Sequence, residues 1–163
     1  MITRMNKKHI IDVYDLLERC NDRFSDFYIT EKKDRKFIKK NWDLIRKILK
    51  TQECYGVFKN GLKGVIILYR TKGFRPYLKI MTEGISYTID LLKFLKWNFL
   101  ETQLYCKLKK ESFYCKQLLK CGFIPTGDRG AEILFEKKAI KDVRKIVAKD
   151  DYLGERNHAN NYR

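Results

Sequence analysis

The sequence has few of the residues that interrupt regular structure and few of those that bind metals. Its 163 residues include two prolines, nine glycines and two histidines. Five cysteines are present, but none belongs to a Cys-x-x-Cys pair. With only His9 and His158 beside them, they cannot assemble a zinc site at the usual spacing, so we expect no metal. The odd number instead favours reduced, mostly buried thiols in a reducing compartment such as the cytoplasm.

Long apolar runs are also missing. The longest, at residues 65–69, has the length of a buried strand, whereas a membrane span needs about 18 residues. The first eight residues lack the apolar region of a secretory signal. We therefore expect no membrane partner. A hydrophobic content of 44%, with 13% aromatic residues, is typical of one packed globule and excludes a wholly disordered chain.

Acidic residues are too few to balance the basic ones. Lysine and arginine number 36 against 20 aspartates and glutamates, which gives a formal net charge of +16. Every third of the chain carries part of this excess, so it is not a detachable basic tail. Such a charge favours polyanions, which are nucleic acid bound without sequence preference, an acidic protein or a phosphate-bearing cofactor. The alternative is that the charge only reflects the lysine-rich composition of an AT-biased genome.

Hydrophobic periodicity predicts the order of the elements, because helices repeat near 3.6 residues and half-buried strands alternate. The pattern predicts a strand (2–6), helices (7–20 and 30–50), three strands (53–59, 62–70 and 77–81), a helix (85–99), a strand (103–108), a short helix after Ser112 and a terminal hairpin (123–126 and 131–135). Asn6 and Thr30 are suited to cap the first two helices. Asn60-Gly61 is typical of a type I′ hairpin turn, and residues 127–130 are expected to form the last turn.

This order defines the expected fold class. It runs β-α-α-β-β-β-α-β-α-β-β plus a C-terminal helix, and its antiparallel middle excludes a purely parallel sheet. We expect an α/β (α+β) fold in which a mixed, mainly antiparallel sheet carries helices on both faces. Residues 1–137 are expected to form a single domain. Residues 138–163 are expected to add an amphipathic helix and a polar tail.

The segment from Ser112 to Phe135 resembles the GNAT N-acetyltransferase superfamily. The match lies in Leu-Leu-Lys-Cys-Gly-Phe-Ile at 118–124, Gly-Asp-Arg-Gly at 127–130 and Glu-Ile-Leu-Phe at 132–135. Together with the order of elements, the resemblance extends over roughly residues 2–137. It implies the GNAT fold and, in members with activity, transfer of an acetyl group from acetyl-CoA to an amine.

The resemblance also implies where acetyl-CoA would bind. The family holds the pyrophosphate at the start of the helix after the fourth strand, in a loop patterned [Q/R]-x-x-G-x-[G/A]. Residues 81–87 stand there, so Gly84, Ile85 and Ser86 are the candidate cofactor-binding residues. This stretch has one glycine, no preceding Arg or Gln, and the acid Glu83. The alternative is an ordinary turn between strand and helix.

The catalytic positions implied by the family are altered as well. The usual general acid is a tyrosine four residues before the Gly of Gly-Phe, and Leu118 stands there. Tyr114 lies one helical turn earlier and is the candidate for a displaced acid, or else an aromatic side chain closing the core. Glu83 is the candidate base if burial raises its pKa, or else an acid that interacts with the helix dipole. Glu111-Ser112 replaces the Asn that usually opens this helix.

Two functions follow from these changes. The first is a GNAT-fold protein that does not catalyse, needs no cofactor and serves as a structural or binding component. Residues 112–123 also look similar to GNAT-like internal virion proteins of short-tailed phages, which implies a virion assembly partner and a virion location near nucleic acid. The second is a divergent acetyl-CoA-dependent N-acetyltransferase acting on an unknown amine, with Lys72, Arg75, Lys79 or Lys93 meeting the phosphates. The sequence leaves the oligomeric state open.

Overall fold

A single mixed sheet organises the chain. The computed structural model describes residues 1–20, 35–70 and 76–140. Within them the strands are β1 (Ile2–Arg4), β2 (Glu53–Phe58), β3 (Leu62–Tyr69), β4 (Tyr77–Thr82), β5 (Leu104–Lys109), β6 (Ile124–Arg129) and β7 (Glu132–Lys137). Their order in the sheet is β1-β2-β3-β4-β5-β7-β6. The β4–β5 pair is parallel and the other neighbouring pairs are antiparallel.

Helices cover both faces of this sheet. They are a short 3-10 helix (Lys7–His9), α1 (Ile10–Cys20), α2 (Arg35–Thr51), α3 (Ile85–Asn98) and α4 (Tyr114–Lys120). The mixed, mainly antiparallel fold predicted from the sequence is confirmed. The C-terminal helix and the Thr30 cap lie outside the described residues, and the domain boundary at 137 remains a prediction. No helix in the described ranges is long and apolar enough to cross a membrane.

The sheet separates two hydrophobic cores. On one face, Val65 and Ile67 of β3 pack with residues of α1 and α2. On the other, Ile66 and Leu68 pack with residues of α3 and α4. Since strand side chains alternate between faces, a central strand covered on both sides is nearly all apolar, as β3 is. Cys20, Cys54, Cys106 and Cys121 are buried, Cys115 is half-buried, and none of the five forms a disulfide, so the prediction of mostly buried thiols is confirmed.

The predictions for the first helix and the first hairpin are confirmed, apart from their boundaries. The side chain of Asn6 accepts the Lys8 N–H at 2.9 Å, which confirms it as a cap. The first turn is a 3-10 helix, however, and the strand before it ends at Arg4 rather than at residue 6. Asn60 (φ 53°) and Gly61 (φ 101°) both have the positive φ that the predicted turn requires. The helix predicted over 30–50 is described from Arg35 to Thr51.

The Gly-Phe segment after α4 ends that helix as a Schellman motif. Gly122 has φ +86°, its N–H bonds the Leu119 carbonyl at 3.1 Å, and the Phe123 N–H bonds the Leu118 carbonyl at 3.0 Å. Phe123 and Leu118 are both buried in the α3–α4 core, which is the apolar contact that accompanies the motif. The turn predicted at 127–130 is wrong in extent, because β6 continues through Arg129 and the chain reverses at Gly130 (φ 70°).

Candidate functional site

The candidate site lies where β4 and β5 part. Their parallel ladder pairs Tyr77 with Tyr105 and Leu78 with Cys106 and then stops, although β4 continues to Thr82. Beyond Leu78, no strand of the described residues pairs with the edge of β4 that faces β5. Buried backbone groups there need other partners.

Tyr114, the candidate acid, supplies such a partner. Its hydroxyl accepts the Thr82 N–H at 3.0 Å. Tyr114 begins α4 and is 1% exposed, within the α3–α4 core. The side chain therefore reaches from α4 to the edge of β4, where its hydroxyl takes up a backbone N–H at the opening between the two strands. The Ser112 hydroxyl accepts the Tyr114 N–H at 3.3 Å, which steadies this start of the helix although Phe113 occupies the capping position.

The turn from β4 into α3 is closed by two buried hydroxyls. The Oγ1 atoms of Thr82 and Thr88 lie 2.6 Å apart, and both side chains are fully buried. Each Oγ1 also lies within hydrogen-bonding distance of the Gly84 carbonyl, at 3.2 Å for Thr82 and 3.0 Å for Thr88, so one hydroxyl donates to that carbonyl and the other to its neighbouring hydroxyl. The Gly84 carbonyl is thereby fixed at the start of the helix, and the turn is built largely from its own side chains.

Glu83, the candidate base, is held by two cations. Its carboxylate bonds the Arg19 guanidinium of α1 and, at 2.9 Å, the Lys63 ammonium of β3. Arg19 also donates to the Leu62 carbonyl at 2.8 Å. Burial acts to raise the pKa of Glu83, but the hydrogen bonds and charges of Lys63 and Arg19 outweigh it and the pKa is lowered. The raised pKa that we required of a base is therefore not present.

The start of α3 is exposed and free of acids within its first turn. Gly84 is its N-cap with φ −176°, an extended conformation open to any residue, and it supplies no side-chain cap. A Cβ on Gly84 would meet nothing nearer than the Tyr87 ring at 4.0 Å, so the fold does not need glycine there. Ile85 is 49% exposed and Ser86 is exposed as well. Their N–H groups have no partner within the helix and point towards its N-terminal end.

The candidate residues are therefore grouped only in part. Glu83, Gly84, Ile85 and Ser86 share the turn between β4 and α3, and Tyr114 contacts the residue just before it. The Thr82 N–H meets Tyr114 on the β5 side, whereas the Glu83 N–H bonds the Lys63 carbonyl on the β3 side at 2.9 Å. Tyr114 and Glu83 thus engage opposite edges of β4 and have separate partners.

The cations suggested for the phosphates are dispersed. Lys79 lies over the Tyr69 ring, with its ammonium 5.7 Å from the centroid. Lys93 is exposed in the second half of α3, away from its N-terminus. Lys72 and Arg75 lie outside the described residues. Arg19 and Lys63 were missed by the sequence reasoning, because only the strand register and the packing of α1 bring them to Glu83.

Solved structures with the same fold are N-acetyltransferases. An N-acetyltransferase from Staphylococcus aureus superposes with a TM-score of 0.64 at 16% identity, covering 85% of this chain and 96% of that one. A GNAT-family acetyltransferase from Streptococcus pneumoniae gives 0.61 at 16% identity, covering 86% and 99%. The Campylobacter jejuni N-acetyltransferase PseH, solved in complex with acetyl coenzyme A, gives 0.59 at 12% identity, covering 85% and 99%.

These likenesses define the class of fold. The chain has the fold of the GNAT N-acetyltransferases over nearly the whole length of those proteins. No protein-family model matches the sequence, and no curated protein matches it either. At identities this low the likeness is one of fold, so the activity has to be argued from the site itself.

Proposed function

We propose that this chain uses the GNAT fold as a non-catalytic structural or binding component. Its partner in this role is a polyanion, either nucleic acid or an acidic protein, because the net charge is +16. Association with a virus particle belongs to the same proposal and rests on the resemblance of residues 112–123 to internal virion proteins.

One observation carries the proposal: the buried Tyr114 hydroxyl bonded to the Thr82 N–H. A general acid has to reach the reacting atoms, and a side chain that is 1% exposed and bonded to the backbone is part of the core. Glu83 adds to this, since a carboxylate engaged by Arg19 and Lys63 with a lowered pKa is a weak proton acceptor. Neither candidate is poised for proton transfer.

The same residues fit acetyl-CoA only in part. The exposed start of α3 offers free N–H groups that suit a phosphate, and the charge of Glu83 is offset by two cations. At the opening between β4 and β5, however, the edge of β4 is already engaged by the buried Tyr114 hydroxyl. The described residues thus fit the anionic end of such a cofactor and not a group inserted between the strands.

A divergent N-acetyltransferase is the second candidate. It is favoured by the fold it shares with PseH, which binds acetyl coenzyme A. Under this function Tyr114 has to leave the core before the cofactor enters. The amine acceptor is not specified by any residue of the site.

Thermal unfolding with and without millimolar acetyl-CoA tests the proposal, with free ADP as the anion control. A ligand present at about 100 times its Kd stabilises the folded state by about 2.7 kcal/mol. For a domain of this size that raises the Tm by roughly 5 to 10 °C. We expect no shift, or an equal one with ADP.

A shift specific to acetyl-CoA would contradict the non-catalytic role. It would justify an amine screen in which the free thiol of coenzyme A is detected as it is released. An equal shift with ADP and acetyl-CoA would instead show that the protein recognises phosphate alone, as a binding component does.

A further inference from the structure

Three lysines and one tryptophan form a basic surface beside the C-terminal ends of α3 and α4. Lys93, Lys96 and Trp97 belong to the second half of α3, and Lys120 ends α4. All four side chains are exposed, and Trp97 is 60% exposed. We call these four residues the α3–α4 lysine cluster. They lie in the helical layer, on the opposite side of the sheet from α1 and α2.

The packing of α4 against α3 brings the cluster together. Cys121 follows Lys120 directly and caps α4. Burial raises the pKa of the Cys121 thiol, and the charges of Lys93 and Lys96 act in the opposite direction, so both ammonium groups lie within electrostatic range of that cap. Lys96 also lies near Lys137. The pKa of Lys137 is lowered mainly by burial and to a smaller extent by the charge of Lys96. Lys137 donates to the carbonyls of Phe99 (2.8 Å) and Thr102 (3.0 Å), just beyond α3.

No acidic side chain of the described residues forms an ion pair with these lysines. The ion pairs among the described residues involve Arg19, Lys63, Arg70, Lys107 and Lys110, and none involves Lys93, Lys96 or Lys120. Helices α3 and α4 together carry four lysines and a single acid, Asp90. Within the described ranges the positive charge of the cluster is thus not offset by an ion pair, unlike that of the cations around Glu83.

Trp97 adds a flat apolar surface to the charge. It lies one helical turn after Lys93, so the ring and the Lys93 ammonium share a face of the helix, and Lys96 shares a face with Lys93 three residues earlier. Large aromatic side chains are usually mostly buried, and one that is 60% exposed among cations is suited to a partner with flat rings and negative charge. Stacked bases and phosphates in single-stranded nucleic acid combine these two features.

We propose that the α3–α4 lysine cluster binds single-stranded nucleic acid, with a base stacked on Trp97 and phosphates held by Lys93, Lys96 and Lys120. This names the partner and the surface for the binding role proposed above, and it rests on that role but not on the state of the opening between β4 and β5. Binding is independent of base sequence, because stacking and phosphate contacts read no base edges.

Tryptophan fluorescence tests the stacking directly. The chain has two tryptophans, so Trp42→Phe leaves Trp97 as the single reporter. Titration of this full-length variant with a thymidine oligonucleotide is expected to quench the Trp97 emission. Trp97→Leu in the natural sequence, measured by fluorescence anisotropy of a labelled oligonucleotide, is expected to weaken binding about tenfold or more. Thermal unfolding of each variant verifies that it is folded.

Salt dependence tests the lysines. For single strands, the slope of log K against log salt has a magnitude of about 0.7 for each phosphate that the protein neutralises. Lys93→Gln with Lys96→Gln is therefore expected to reduce that magnitude by about 1.4. The matched control is Lys7→Gln with Lys8→Gln, which removes the same charge from exposed residues before α1 on the other face of the sheet. We expect the control slope to stay close to that of the natural sequence.

Three results would overturn the proposal. The first is an absence of Trp97 quenching while the protein still binds heparin or an acidic peptide. Binding would then depend on charge alone and would not involve stacking on Trp97. The second is an equal change of slope in the two double variants, which would assign binding to diffuse charge. The third is the absence of oligonucleotide binding. A thermal shift specific to acetyl-CoA contradicts the non-catalytic role whatever the oligonucleotide does, so the two failures are distinguishable.

Discussion

The side-chain charges at the two ends of α3 differ in sign, and each is opposite to the partial charge of the helix dipole at that end. The N-terminal end, where unpaired N–H groups favour anions, follows the acid Glu83 and has no basic residue within its first turn. The C-terminal end, where the dipole repels anions, is flanked by Lys93, Lys96 and Lys137. The exposed positive charge of α3 is therefore supplied by its lysine side chains. These lysines lie far from the N-terminal end of the helix, where backbone N–H groups would hold a phosphate.

Under the proposed function, the chain keeps the architecture of the fold and binds its partner on a different surface. At the N-terminal end the polar groups are used internally: Tyr114 takes the Thr82 N–H and Glu83 joins α1 to β3. At the C-terminal end Lys93 and Lys96 have no ion pair within the described ranges. Side chains that are satisfied inside the protein stabilise it, and charges left without partners are available to a ligand.

The largest effect on stability is expected from Tyr114→Phe. This substitution tests whether Tyr114 closes the opening between β4 and β5, next to the N-terminal end of α3. The change removes the hydroxyl that accepts the Thr82 N–H and leaves that buried donor without its partner. We expect the free energy of unfolding to fall by about 1–3 kcal/mol, measured by urea denaturation. Acetyl-CoA is expected to shift the Tm of the variant no more than ADP does, as in the natural sequence.

Tyr77→Phe is the matched control, because Tyr77 is 36% exposed on β4. Its loss of a hydroxyl should change the free energy of unfolding by about 0.5 kcal/mol or less. Equal effects of the two substitutions would contradict the role of Tyr114 in closing the opening. The end of β4 would then be as open as the start of α3.

A smaller effect is expected from Glu83→Gln, which breaks the ion pairs with Arg19 and Lys63. The partners are partly exposed, so we expect a loss of about 1 kcal/mol at pH 7. The folded-state pKa of Glu83 is lowered from 4.5, so its contribution is present above that ordinary value and disappears as the pH falls through the lowered one. Urea denaturation at a series of pH values should therefore show the natural sequence and the variant converging in acid.

Glu101→Gln serves as the comparison at the other end of α3. Glu101 is exposed and forms no ion pair in the part of the chain that the structure describes. Its replacement should leave the stability unchanged across the same pH range. A stability difference between Glu83→Gln and the natural sequence that grows in acid would show that the pKa of Glu83 is raised, and Glu83 would again be a candidate base.

The sequence predicted the fold better than the site, and the reason is the range of the interactions. Periodicity and turn residues such as Asn60-Gly61 act over a few neighbours, so they specify elements and, through their order, the sheet. The bond between Thr82 and Tyr114 spans 32 positions, and the pair of Arg19 with Glu83 spans 64. No local pattern encodes these contacts. Tyr114 was identified by its position relative to a family pattern and Glu83 as the acid near the end of the fourth strand, while their partners and the lowered pKa depend on packing.

The smallest effect is expected from Gly84→Ser, which tests whether the N–H groups at the start of α3 are open. A serine at an N-cap accepts a hydrogen bond from the second or third helical N–H, and the Gly84 backbone is already extended. The free energy of unfolding should rise by a few tenths of a kcal/mol. Gly84→Ala adds the same carbon without the oxygen and should lower it by at most about 1 kcal/mol. If serine is no better than alanine in urea denaturation, these N–H groups already have partners. The start of α3 would then be closed like the end of β4, and the only surface of α3 left to meet an anion would be the α3–α4 lysine cluster.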